Sequence, residues 1–132
     1  ELFALFHDSC RVNEDTDHRH GSRGADFAQQ CFDDGLLTCS LDDLKLLKLA
    51  CKQHTGGTYA PNQTIATCWD ADRLDLPRVF IQVKPQLLCT EYAKEPVMIE
   101  AANQRVQRWL SKRDNHYYNE ADNWSISKPR RV

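Results

Sequence analysis

The chain is notable first for what it does not contain. No apolar run approaches the roughly 18 residues that a membrane-spanning helix needs, so no span is expected. Net charge is only −2, so no global field draws the protein to nucleic acid or to an anionic lipid surface. There is no Gly-rich phosphate loop, no nucleophile elbow and no His-Glu-x-x-His pair, which removes the short motifs that by themselves announce a chemistry. No two cysteines form a Cys-x-x-Cys pair, so the usual structural-zinc and thioredoxin spacings are absent too. Internal repeats and low-complexity blocks are also missing.

What is present is one domain's worth of chain, 132 residues, with six cysteines: Cys10, Cys31, Cys39, Cys51, Cys68 and Cys89. An even count at this density reads as a framework of three disulfides in an oxidising compartment. Asn62-Gln63-Thr64 and Asn123-Trp124-Ser125 match the N-glycosylation pattern. The sequence starts at Glu1 with no basic-then-apolar leader, which fits a mature secreted form. The expectation is therefore a secreted, extracellular protein.

The most legible element is the stretch Ser40 to Gln53. Ser40 followed by Asp43 signals a capped helix start, and Leu44, Leu47 and Cys51 recur at helical spacing. A helix over 40–52 holds Cys39 and Cys51 roughly 15–18 Å apart, beyond the roughly 7 Å that a disulfide spans. The two must then bond elsewhere if they bond at all. A second helix is expected over 26–34, broken at Gly35, forming a helical hairpin with the first. A third is expected over 96–112, with Pro96 in its first turn and Ile99, Ala102, Val106 and Trp109 on one face.

Between these, β-branched and aromatic residues suggest strands. Thr64 to Trp69 is one candidate, and Arg78 to Lys84, where Val79, Ile81 and Val83 alternate, is another. The fold expected is α+β: a small antiparallel sheet from 58–70 and 78–90 packed by about three helices, with an all-α disulfide-tied bundle as the alternative. Residues 1–112 form the domain, and 113–132 a polar tail.

Candidate chemistry is sparse. His18 and His20, two apart, could face one ion with Asp15 or Asp17 from an extended loop, but a solvated loop is the plainer reading, and no metal or cofactor is expected. His7-Asp8-Ser9-Cys10 lines up acid, base and nucleophile types, yet chain neighbours point different ways. Partner contact is the alternative use of His18, Arg19 and His20, of the tail aromatics Tyr117, Tyr118 and Trp124, and of the basic Lys128, Arg130 and Arg131. The function this favours is a non-enzymatic interaction protein, an extracellular ligand or a pathogen or parasite effector with a receptor or host protein as partner. Two alternatives stand beside it: a lipid or small-ligand carrier, and a small hydrolase built on His7, His18, His20, His54 or His116. A pocket holding two of those histidines beside a carboxylate would favour the hydrolase.

Overall fold

A computed structural model describes residues 1–13 and 16–125, with side chains up to Arg113 in the last helix. Six α-helices follow in order: α1 (Leu2–Phe6), α2 (His20–Asp33), α3 (Leu41–Gln53), α4 (Gln63–Asp75), α5 (Glu91–Lys94) and α6 (Pro96–Ser125). Two 3₁₀ turns, Leu76–Val79 and Pro85–Leu87, lie between α4 and α5. No strand occurs among the described residues, and this overturns the α+β expectation.

The physical reason differs at the two supposed strands. Thr64 to Trp69 lies inside α4. Asn62 caps that helix by accepting from the Ile65 N–H at 2.9 Å, and Ile65, Ala66, Trp69, Asp70 and Arg73 give it a buried stripe at helical spacing. Packing along that stripe overrides the strand preference of Thr64, Ile65 and Thr67. Arg78 to Lys84 alternates for another reason. Val79, Phe80 and Ile81 are exposed and only Val83 is buried, in a small cluster with Leu88 and Ala93, so the alternation gives one anchor and no continuous apolar face.

Ser40 caps α3, its hydroxyl accepting from the Asp43 N–H at 3.1 Å. α2 starts at His20, six residues before the expected 26, because two glycines admit close neighbours. A Cβ at Gly21 would overlap the Cys51 carbonyl oxygen on α3, and one at Gly24 would overlap the Phe6 carbonyl oxygen at the end of α1. The three helices therefore meet backbone to backbone at one end of the bundle. The core beneath is built on Phe3, Phe6, Leu47, Cys51, Ile65 and Trp69, and the Trp69 indole N–H donates to the Ala50 carbonyl at 2.9 Å.

Two buried charges of α4 tie down the irregular stretch after it. Asp70 accepts from the Cys89 and Thr90 N–H groups at 2.6 and 2.9 Å and from the Thr90 hydroxyl at 2.7 Å. The Arg73 guanidinium donates to the carbonyls of Gly57, Leu87 (2.5 Å) and His54 (3.1 Å). Fully paired, such groups specify a geometry rather than weaken it. The last of these bonds holds the end of α3, where the site lies.

Candidate metal centre

Three helix ends and one helix face converge where the glycines let the backbones close. Asp8 sits in the turn after α1, His20 opens α2, His54 ends α3 and Asp72 projects from α4. The His20 Nδ1 lies against the Asp17 carbonyl, and the His54 Nδ1 against the Cys51 carbonyl at 2.7 Å. A carbonyl only accepts, so each Nδ1 carries the proton and each Nε2 presents a lone pair. The two Nε2 atoms face one another at 3.0 Å. The Asp8 Oδ1 stands 3.2 Å from one and 3.6 Å from the other. It is buried and accepts no hydrogen bond, its only cationic neighbour among the described contacts being Arg11 Nη1 at 3.5 Å.

Two lone pairs and a carboxylate oxygen cannot satisfy each other. Each is an acceptor, the single Thr55 O–H can serve only one Nε2 at a time, and a buried acceptor without a donor is costly. What all three share is the capacity to bind a cation, and these ligand atoms lie within 4.8 Å of one another. The carbonyls behind both rings are the usual backing of metal-ligating histidine, fixing ring orientation and tautomer. The Thr55 hydroxyl stands 3.4 and 3.3 Å from the same two Nε2 atoms.

Around this triad the neighbours are also held. The Asp17 carboxylate accepts from the Val12 N–H at 3.0 Å, from the Arg19 N–H at 3.3 Å and from the Arg23 guanidinium. Those bonds, the Val12 N–H foremost, hold its carboxyl down at about 2, and they fix the carbonyl that orients His20. Burial pushes the His54 imidazole below its ordinary value, toward the neutral form that ligates metals. His7 lies beside them, its Nε2 3.4 Å from Asp72 Oδ1 and its ring stacked on Phe3 at 4.6 Å. Burial by itself would lower the His7 value, but the bond and charge of Asp72 outweigh it and the net shift is upward. Asp72 is correspondingly lowered: burial opposes its ionisation, and His7 more than offsets that.

The triad opens into a cleft of about 810 Å³. Asp8, His20, His54, Thr55 and Asp72 line its floor. Arg11, Arg73, Arg78, Lys84 and Arg113 bring five cationic side chains to it, Arg78 pairing with Asp75 at 2.9 Å, together with the exposed loop Val79-Phe80-Ile81.

Of the residues singled out from sequence, His20 is in the centre. His18 and Arg19 are exposed in the turn that precedes α2, and His18 takes no part: the partner of His20 is His54, 34 residues away, not its neighbour in the loop. Asp17 serves through its carbonyl and Asp15 lies outside the described residues. Asn62 spends its side-chain oxygen on the α4 cap. No two of the six cysteines expected to pair lie at bonding distance, and all six stand as free thiols in this structure. The side chains of His116, Tyr117, Tyr118, Asn123 and Trp124, and the residues Lys128, Arg130 and Arg131, lie outside the described residues. The backbone of α6 runs on past Ser111 to Ser125, where a polar tail was expected.

Sequence reasoning set Asp8 aside and passed over Thr55 and Asp72. The available signal was positional. His7-Asp8 closes a short helix, His20 opens another and His54 sits just before the Gly56-Gly57 break, so three of five histidines fall at helix ends. The chain matches no protein-family model, no curated protein and no solved structure. Among the described residues, no helix is long and apolar enough to cross a membrane.

Proposed function

We propose that the protein is a metal-dependent hydrolase of a phosphate ester, with Asp8, His20 and His54 as the metal ligands. The observation that carries this is the pair of opposed, carbonyl-backed Nε2 atoms beside an unsatisfied carboxylate oxygen. Three protein ligands facing a cleft leave coordination positions for a substrate, the pattern of catalytic rather than structural sites. Two imidazoles and one carboxylate suit Zn²⁺, Mn²⁺, Fe²⁺ or Co²⁺.

A divalent ion at such a site polarises a phosphoryl oxygen and acidifies water. The chain's own residues account for the rest. Arg11, Arg78, Lys84 and Arg113 supply positive charge along the cleft, where a phosphoryl group needs neutralising. Asp72, held by His7, lines the same floor and accepts the proton of the attacking water. Water adds to phosphorus, the ester P–O bond breaks, and the proton taken up by Asp72 passes to the leaving oxygen, which departs as an alcohol.

The test is direct. Stripped protein is titrated with Zn²⁺, Mn²⁺ and Co²⁺ and its metal content measured, then assayed on p-nitrophenyl phosphate and its diester. One ion per chain and a turnover at least 100-fold lower in Asp8→Ala and His54→Ala support the reading. Failure of every ion to bind stoichiometrically would overturn it.

A second reading, a protein that acts by binding a receptor or host protein, draws on the exposed Tyr92, Val97 and Trp109 of α5 and α6. Capture of one partner at fixed stoichiometry, lost in Trp109→Ser, would support it.

A further inference from the structure

The cleft wall opposite the triad carries an aromatic side chain in an unfavourable backbone state. Phe80 ends the 3₁₀ turn Leu76–Val79 with φ 63° and ψ 23°, and is the one non-glycine residue with positive φ among those described. Side chains with a Cβ resist this region, and aromatic ones are rarely found there. The conformation is held locally: the Phe80 N–H donates to the Pro77 carbonyl at 3.1 Å and the Ile81 N–H to the Leu76 carbonyl at 3.2 Å.

Burial does not compensate the strain, because Phe80 is 86% exposed. Its neighbours Val79 and Ile81 are also exposed, so the loop tip is apolar, flanked by Arg78, which pairs with Asp75 at 2.9 Å, and by Lys84. A strained residue that gains nothing from its own fold points to a use outside it. The same cleft that holds Asp8, His20 and His54 is lined by this ring.

We infer that Phe80 is the platform of an aromatic subsite: the substrate is a phosphate ester whose alcohol carries a planar aromatic or heteroaromatic ring, stacked on Phe80 while the phosphoryl group lies at the triad. This rests on the hydrolase reading above and specifies its substrate class. The left-handed backbone lifts the ring off the loop, leaving a face bare for stacking, and Val79 and Ile81 flank it. The anionic end is drawn to the triad's cation and the cleft's basic side chains, and the aromatic end to Phe80.

The experiment measures binding, so it does not depend on turnover. The protein loaded with Zn²⁺ or Mn²⁺ is titrated calorimetrically with two pairs of ligands. Phenylphosphonate against methylphosphonate isolates a simple aryl ring; a nucleoside 5′-monophosphate against ribose 5-phosphate isolates a heteroaromatic base. A stacked ring is worth about 3- to 10-fold in affinity, so the aromatic member of at least one pair binds tighter by that factor. In Phe80→Ala the preference falls to near unity while the metal content is unchanged; in Phe80→Tyr it is kept. The exposure of Phe80 means neither substitution disturbs the core, and a melting curve checks this. Equal affinity within both pairs, or a preference that survives Phe80→Ala, overturns the subsite and leaves the hydrolase reading standing. No binding of any of the four to the metal-loaded protein defeats both.

Discussion

Replacing Asp8 with asparagine should make the metal-free protein more stable and the metal-loaded protein less so. In the metal-free protein the Asp8 Oδ1 is a buried acceptor facing two Nε2 lone pairs. An unsatisfied buried acceptor costs about 1–3 kcal/mol. An asparagine in the same place presents an amide N–H₂, which donates to the Nε2 of His20 or His54. Against that gain stands the loss of the Arg11 contact, 3.5 Å from Oδ1, worth at most about 1 kcal/mol for a partly exposed pair. The net is a gain of about 1 kcal/mol, or roughly 3–5 °C in Tm for a chain of this size. With metal the sign reverses. At a concentration of 100 times Kd the wild type gains about 2.7 kcal/mol. Losing a ligand weakens binding by about 100-fold, at the upper end of what even outer-shell changes cost, and leaves about 0.4 kcal/mol at the same concentration. Differential scanning fluorimetry of both proteins, with chelator and with Zn²⁺ or Mn²⁺, should therefore give curves that cross. A lower Tm for Asp8→Asn in chelator would mean the carboxylate is a structural group. An equal metal-induced rise in both proteins would mean it is not a ligand.

Three further outcomes follow from the neighbouring residues. Gly21→Ala should cost about 1–3 kcal/mol by the overpacking of α2 on α3 and should weaken metal binding by parting His20 from His54; denaturant midpoints and metal titration measure both, with Gly56→Ala, whose Cβ meets nothing within 4 Å, as the neutral control. The Val12 N–H and the Arg23 guanidinium hold the Asp17 carboxyl below the usual carboxylate range, at about 2, so its stabilisation is complete above about pH 4 and is lost as pH falls through 2. Asp17→Asn should thus melt lower than wild type at pH 7, with the difference closing between pH 4 and 2; a constant difference across that window would refute the assignment. Burial, aided by Cys68, pushes the Cys51 thiol up to about 12, so it should resist a thiol reagent at pH 8 while the partly exposed cysteines react. In denaturant without reductant all six should titrate, and fewer would restore the disulfide framework expected of an extracellular protein.

The elements that were legible in the sequence are those whose local signals agree with their packing. α3 announces itself because its cap, its leucine stripe and its terminating glycines all say the same thing, and α6 does so through Pro96 and the spacing of Ile99, Ala102 and Val106. α4 is the opposite case. Its residues favour a strand locally, and only the burial of Ile65, Trp69 and Arg73 together makes it a helix, a fact about neighbours that a single segment does not hold. The start of α2 was hidden likewise: two glycines and two histidines in seven residues, His18 to Gly24, look like a loop until the backbone of α3 is close enough to require a glycine. The site was illegible for the same reason. The distance between His20 and His54 is a property of the α2–α3 packing, and Asp8 gains its meaning only from where those two rings point.

The placement of the awkward groups argues that they belong together. Elsewhere among the described residues the buried polar side chains are paired. Asp70 accepts three hydrogen bonds, Arg73 reaches three carbonyls and Asp17 has two N–H groups and a guanidinium. The exceptions are a carboxylate oxygen without a donor, two imidazole lone pairs turned on each other, and an exposed phenylalanine held at positive φ. All four lie on one cleft. A fold that satisfies its polar groups everywhere else has the means to satisfy these. Local strain and frustration collected in a single concavity are the mark of groups kept for a ligand. A cation between the rings removes the first three conflicts at once, and a stacked ring covers the fourth. One bound substrate, anionic at one end and aromatic at the other, relieves every defect the cleft contains.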